Sequence, residues 1–455
     1  MSVGGFRLPD SPKHGGQKQR YKNTKMASIY FVGTYKPIMC GIADYTSLIT
    51  DELPAGKWSV ISFDLNRYGG RLALDDKAVT GRVWYGIPSR QEFSASVIRQ
   101  GLKKLGAKKG DAVLWFQHEN GIWPGDMQFT AMLKNLNIPK VVTFHTLHFQ
   151  SYETPTGLRR NQYDLLKVLL PYVEAITVFS RGVYQAVASA FPEHRDKVYV
   201  IKHGTNLYPE LSRLSRKEAK EKLNDFLLYE SGLDLKAKKT LHKRRIFLDP
   251  GTVVLGQAGF LEPMKNSEML YTARDSLQKA IPHRRIVAVR IGVPREEKQK
   301  IYAEKLRRVQ NGRDKFLLEV RLPHDMLPLA QRAFDVNFYW PHECTQSGLL
   351  SHALGAGAIV ACRDLEGVGE DMKDAGGIVG TDLRYVLFKI TNPILNPALG
   401  ERIEQRALDY AREFSWKNQA RRHCELAERI LSPAPYSPAV QPTGTMAAPA
   451  ARKSN

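Results

Sequence analysis

Two stretches of this chain end apolar runs on histidine: FQHENGIWPG at residues 116–125 and VVTFHTLHF at residues 141–149. Each starts like a buried strand and turns polar at His118 or His145. Glu119 directly follows the first histidine, and His148 lies three positions beyond the second. Imidazole and carboxylate groups at strand ends can orient hydroxyls or move protons where those ends open on a ligand cleft. His145, His118 and Glu119 are therefore candidate catalytic residues. A third stretch, HECTQSGLLSHALGAGA at 342–358, places Glu343, a fourth catalytic candidate, with Thr345, Gln346 and Ser347 ahead of a helix predicted to begin near Gly348. The free N–H groups of Ser347, Gly348 and Leu349 would attract an anion, and Ser347 also suits an N-cap.

Two further loops carry ligand-binding chemistry. In GFLEPMKNSEMLYTA, residues 259–273, Lys265 stands just before an amphipathic helix, where its ammonium could meet a diphosphate. CGIADYTSLIT, residues 40–50, turns from loop to helix at Gly41, with Ile42, Tyr45, Leu48 and Ile49 as the apolar stripe. A glycine there lets a ligand approach the backbone closely. Other templates are absent: the chain has no G-x-S-x-G, no G-x-x-x-x-G-K-[ST] and no H-E-x-x-H. His145 and His148, three apart on non-helical chain, are a weak metal pair, so no metal is expected.

The elements that must hold these residues alternate between strand and helix. Strands are predicted at 28–33, 58–63, 112–117, 140–145, 175–180 and 197–204, then at 252–259, 285–292, 316–322, 334–341 and 358–363. Such alternation implies parallel sheets covered on both faces. In open parallel sheets ligands bind beyond the C-terminal strand ends, which is where the histidines fall. The polar, basic stretch between the two sets breaks the pattern. The expected division is an extension at 1–25, a first domain at 26–208, a basic helical insert or linker at 209–250 and a second domain at 251–412. A crossing helix at 413–431 and a Pro- and Ala-rich tail at 432–455 complete it.

Composition narrows the partners. The chain has 455 residues and a formal charge of +21, part of it in the run KAKKTLHKRR at 236–245. Nucleic acid, an anionic membrane surface and phosphorylated ligands all suit such an excess. No RNP sequence, zinc finger or basic recognition helix accompanies it, so nucleic acid is not expected. The four cysteines form no C-x-x-C pair. With no apolar signal or membrane span in the sequence, a cytoplasmic location is expected, with at most weak contact with an anionic membrane.

Taken in order, CGIADYT, QHENGIWPG, VVTFHTLH, ITVFSRGVYQAV, VIKHGTN, GFLEPMKN and TQSGLLSHALGAG resemble glycosyltransferase family 4, in a bacterial branch. The resemblance implies a GT-B fold: two doubly wound Rossmann-like domains facing a central cleft, with the C-terminal helix crossing back to the first. It implies transfer of a sugar from a UDP- or GDP-linked donor to a glycan, lipid-linked or small-molecule acceptor, retaining and without metal or cofactor. Gly41, Lys265, Ser347, Gly348 and Leu349 match donor-phosphate positions, His145 the sugar side, and His203 and Gly204 the hinge. Two departures stand out. Phe260 occupies a position where many relatives have arginine. The paired glutamates, eight apart in the family, are represented by Glu343, one position off, and by His352, so the carboxylate grip on the ribose is incomplete. A GT-B sugar phosphorylase or epimerase, or a degenerate binding protein, remains the alternative.

Overall fold

A computed structural model describes residues 27–68 and 81–432. The extension expected at 1–25, and all but the first residue of the tail expected at 432–455, lie outside these. Among the described residues two parallel sheets form. The first contains β1 (Ser28–Val32), β2 (Trp58–Phe63), β3 (Val83–Ile87), β4 (Ala112–His118), β5 (Lys140–Phe144), β6 (Ala175–Val178) and β7 (Val198–Val200). The second contains β8 (Thr252–Ala258), β9 (Arg285–Ile291), β10 (Lys315–Leu318), β11 (Val336–Tyr339), β12 (Val360–Arg363) and β13 (Ile378–Gly380). Their orders are β3-β2-β1-β4-β5-β6-β7 and β10-β9-β8-β11-β12-β13. Both reverse direction beside their first strand, between β1 and β4 and between β8 and β11.

Helices cover both faces. In the first half these are α1 (Gly41–Glu52), α2 (Ala95–Lys104), α3 (Asp126–Lys134), α4 (Arg160–Leu169) and α5 (Arg181–Ala190). The second half adds α6 (Pro209–Arg213), α7 (Arg216–Asp225), α8 (Leu235–Arg244), α9 (Glu268–Ala280), α10 (Glu297–Val309), α11 (Met326–Ala333) and α12 (Gly348–Gly355). α13 (Glu366–Asp374), α14 (Leu383–Leu395) and α15 (Pro397–Glu413) complete it, and α16 (Trp416–Leu431) packs on the first sheet. Burial on both faces explains why central strands such as Ala112–His118 are almost wholly apolar. The 209–250 segment is helical and built into the second half: Leu223, Leu227, Leu241 and Phe247 share a core with Val254, Val287 and Phe316.

The chain passes between the halves twice at one place. Thr205 pairs in parallel with Ser415, its N–H donating to the Phe414 carbonyl while the Trp416 N–H donates to the Thr205 carbonyl. Beyond this crossing α16 returns to the first sheet, where Trp416, Ala420, Leu426 and Ala427 pack with Ile29, Phe31, Val113 and Trp115. Gly204 lies so close beneath Trp416 that a Cβ would stand 2.1 Å from its ring. Gly204→Ala should therefore cost about 1–3 kcal/mol, the usual range for overpacking, read as a lowered melting temperature. An unchanged melt would show that the crossing yields freely.

Candidate functional site

At the reversal point of an open parallel sheet, loops after adjacent strands diverge to opposite faces and leave a crevice. In the second sheet the loops after β8 and β11 do this, and α1 of the first half faces them. The result is a cavity of about 470 Å³. Gly41 and Asp44 line it from α1, Gly259, Phe260 and Lys265 from the loop after β8, and Gly348, Leu349 and His352 from α12. Val320, Arg321 and His324, from the chain between β10 and α11, form a further wall.

Local sequence explains these positions. α1 begins at Gly41 because Cys40 caps it, its Sγ accepting from the Ala43 N–H at 3.3 Å. A Cβ on Gly41 would meet nothing within 4 Å, so the glycine keeps space open rather than relieving contact with protein. Gly259 differs. Its φ of +112° is rarely open to other residues, and a Cβ would come within 2.9 Å of Leu349.

The cavity is cationic. The Lys265 ammonium donates to the Phe260 carbonyl at 3.3 Å. Burial, with Arg290 adding repulsion, pushes its pKa down to about 8, so near neutral pH it is an ammonium in need of an anion. Arg290, fully buried in β9, has no carboxylate in salt-bridge range among the described residues. Its guanidinium donates to the carbonyls of Gln257, Gly259 and Phe260 at 3.2, 2.9 and 2.8 Å and to Ser267 Oγ at 2.9 Å. It thus fixes the turn that carries Lys265 and brings positive charge behind Phe260. Arg295 lies 4.6 Å over the Phe260 ring. Sequence reasoning missed both arginines; for Arg290 the available signal was a charged residue inside the apolar run that follows Arg285 in the strand RIVAVRI.

At the start of α12 the N–H groups of Gly348 and Leu349 make no hydrogen bond among the described residues and border the cavity. Ser347 does not border it and instead lines a separate small gap with His203 and Tyr410. His352 faces the cavity, but its Nδ1 is already bonded by the Tyr208 hydroxyl, with Asn206 Nδ2 at 3.3 Å. Burial pushes its pKa down to about 4.

The four candidate catalytic residues fall outside this cavity. His118 is packed between Phe129 and Phe144, at ring distances of 4.9 and 4.8 Å. Burial pushes its pKa to about 3. The expectation that it lines the cleft is corrected, because the pleat of β4 turns its side chain into the core. Glu119 braces a loop instead: Oε2 accepts from the Thr146 hydroxyl at 2.6 Å and Oε1 from the Asn120 N–H at 3.2 Å. Glu343 reaches across to the first half, pairing with Arg159 and with His148 at 3.1 Å. The pull of the Arg159 guanidinium, with the His148 ring beside it, explains why it points away from the cavity. His145 borders a narrow gap between the halves, facing Thr345 and Gln346. Its Nε2 lies 2.7 Å from Gln117 Oε1, Tyr45 meets its ring edge-on at 4.9 Å, and burial pushes its pKa to about 3. His203 packs against Tyr45 and Trp416 beside the double crossing, with Gly204 next to it. No group of three or more His, Cys, Asp or Glu residues able to hold a metal occurs among the described residues.

Beyond the cavity, the halves are tied by ions that sequence reasoning also missed. Glu370 of α13 accepts from the Arg181 and Gly182 N–H groups at the start of α5, at 2.9 and 3.0 Å. Glu366, held at φ +48°, accepts from the Phe149 N–H at 3.0 Å and lies 3.4 Å from His148 Nδ1. Lys202, buried beside the crossing, pairs with Glu370, Asp371 and Asp374 at 3.3, 2.8 and 2.8 Å.

Comparison with known proteins agrees with this architecture. Residues 40–208 match the sequence model described as Glycosyltransferase Family 4. No curated protein sequence matches the chain. Solved structures do match along most of its length. The N-terminal domain of Candida albicans trehalose-6-phosphate phosphatase superposes with a TM-score of 0.61 at 11% identity, covering 93% of this chain and 100% of that one. Anabaena HepE, in complex with UDP and glucose, gives 0.58 at 15% identity over 88% and 99%. A UDP-forming α,α-trehalose-phosphate synthase from Burkholderia xenovorans gives 0.61 at 12% identity over 90% and 100%. The chain therefore has the GT-B fold, and its residues 40–208 carry the pattern of Glycosyltransferase Family 4.

Proposed function

We propose that the protein is a glycosyltransferase that moves a sugar from a nucleotide-sugar donor, UDP- or GDP-linked, to a glycan, lipid-linked or small-molecule acceptor. The observation that carries this reading is the convergence of Lys265 with two free backbone N–H groups, those of Gly348 and Leu349, on one cavity at the reversal point of the second sheet. Such donors stabilise the negative charge that develops on a departing nucleoside diphosphate. Gly41 leaves room for the phosphates to approach the backbone, and Gly259 lets the loop after β8 turn against Leu349. The binding of UDP with glucose by Anabaena HepE supports the same assignment.

His145 takes the sugar side in this reading. With its pKa near 3 it is neutral at physiological pH, so it orients a hydroxyl by hydrogen bonding rather than delivering a proton as imidazolium. His352 takes the place of a glutamate that would bind the ribose hydroxyls and offers a weaker grip, its Nδ1 being occupied. Retention of configuration and independence from metal remain part of the proposal, as does a role for His203 and Gly204 in opening the cleft.

Thermal stabilisation by nucleoside diphosphates tests this reading. A ligand present at 100 times its Kd stabilises the folded state by about 2.7 kcal/mol, so UDP or GDP should raise the melting temperature at saturating concentration, while uridine or guanosine should have much less effect. A melt unmoved by either diphosphate would overturn the donor site, and donor binding without transfer to any glycan acceptor would favour the binding-protein alternative.

A further inference from the structure

At the opposite pole of the second half, away from the cleft, lies a groove of about 650 Å³. It sits at the N-terminal edge of the sheet, between the end of α8, the turn before β9 and the turn before β10. Lys243, Arg244, Arg274, Arg284, Arg285 and Arg313 line it, with Asp314 the one carboxylate among its lining residues.

The walls are fixed. The Arg285 guanidinium donates to the Arg244 carbonyl at 2.7 Å and to the Arg313 carbonyl at 3.3 Å, pinning the end of α8 to the turn before β10. Arg274 donates to the Ile286 carbonyl at 2.8 Å and pairs with Asp314 at 2.7 Å. The side chains of Lys243, Arg244, Arg284 and Arg313 are exposed and have no ion pair among the described residues. Four unpaired cations gathered around a rigid concavity repel one another, and a bound polyanion would relieve that repulsion. Guanidinium forks suit phosphate oxygens in particular.

We infer that this groove is a second ligand site, separate from the sugar-transfer cleft, that takes a small polyphosphorylated molecule. A membrane would meet a concave surface whose lining offers no large apolar side chain to insert, and a single strand of nucleic acid would find no Phe, Tyr or Trp among the lining residues, only the small ring of His283.

The test is calorimetric titration of inorganic tripolyphosphate into the full-length Lys265→Ala protein, in which the proposed cleft site is weakened. Saturable one-to-one binding is expected, reduced at least tenfold when Arg284→Gln and Arg313→Gln are added. An independent pair, Lys243→Gln with Arg244→Gln, should give the same loss should the first fold poorly. UDP affinity, measured in the same groove substitutions made on the Lys265 background, should be unchanged, which separates this site from the donor site. Absence of saturable binding, or binding equal in both pairs to that of the parent, overturns the inference. So does a groove that instead binds phosphatidylserine vesicles or single-stranded RNA, with tripolyphosphate failing to compete.

Discussion

Lys265→Ala should weaken nucleoside-diphosphate binding by about 1.5–3 kcal/mol, the range for a hydrogen bond to a charged group, with the melting temperature of the free protein nearly unchanged. The structure adds a dependence on pH. Burial and the nearby Arg290 lower the Lys265 pKa from its ordinary 10.5 to about 8. A diphosphate placed beside the ammonium favours the charged form and raises that pKa. Binding then takes up a proton wherever the free site has lost one. Wild-type affinity should accordingly change little near pH 7 and fall as pH rises through about 8. The alanine variant should lose that fall, since the group responsible is gone. Equal affinities, or identical pH profiles for the two proteins, would remove Lys265 from the donor site.

The second large effect concerns the tie between the halves. Burial alone would lower the Lys202 pKa, but Asp371 and Glu370 outweigh it and the net shift is upward. Burial also raises the Asp371 pKa, despite the attraction of Lys202. Removing the ammonium would strand buried carboxylates, and breaking a buried ion pair in this way costs about 3–5 kcal/mol. Lys202→Ala should show that loss in denaturant melts at neutral pH. The sign of its pH dependence follows from Asp371. Without Lys202 its folded-state pKa rises further above the unfolded value, so the folded variant binds a proton that the unfolded chain does not. The deficit should narrow as pH falls from 7 towards 5. A loss below about 1 kcal/mol, or a deficit that widens on acidification, would contradict the ionic tie.

Legibility in the sequence followed burial. Central strands such as Trp58–Phe63 and Ala112–His118 were readable because both faces are covered and their residues run apolar. The two edge strands missed, β3 and β13, are half-buried or only three residues long, with too little pattern to separate them from loop. Gly41, Lys265, Gly348, Leu349 and His352 could be brought together because strand-to-helix loops of a doubly wound sheet converge by rule. His118 and Glu119 could not be separated from them, since one step along a strand reverses the face and the end of a pleat is not marked in the residues. Glu343 went astray for another reason. Its partners Arg159 and His148 belong to the other half, and no local spacing encodes a contact nearly two hundred positions away.

The return of α16 to the first sheet sets the order in which this molecule can be completed during synthesis. Ile29, Phe31 and Trp115 leave the ribosome early, yet the helix that covers them with Trp416, Ala420 and Leu426 is made only after the entire second half. At ~5–20 residues per second of translation, that surface waits on the order of tens of seconds. Over that interval the first sheet is an apolar face without its lid, open to chaperones or to other nascent chains. A chain stopped at residue 208 would keep that exposure permanently, so the first half is finished by a segment that the ribosome delivers only after the second half.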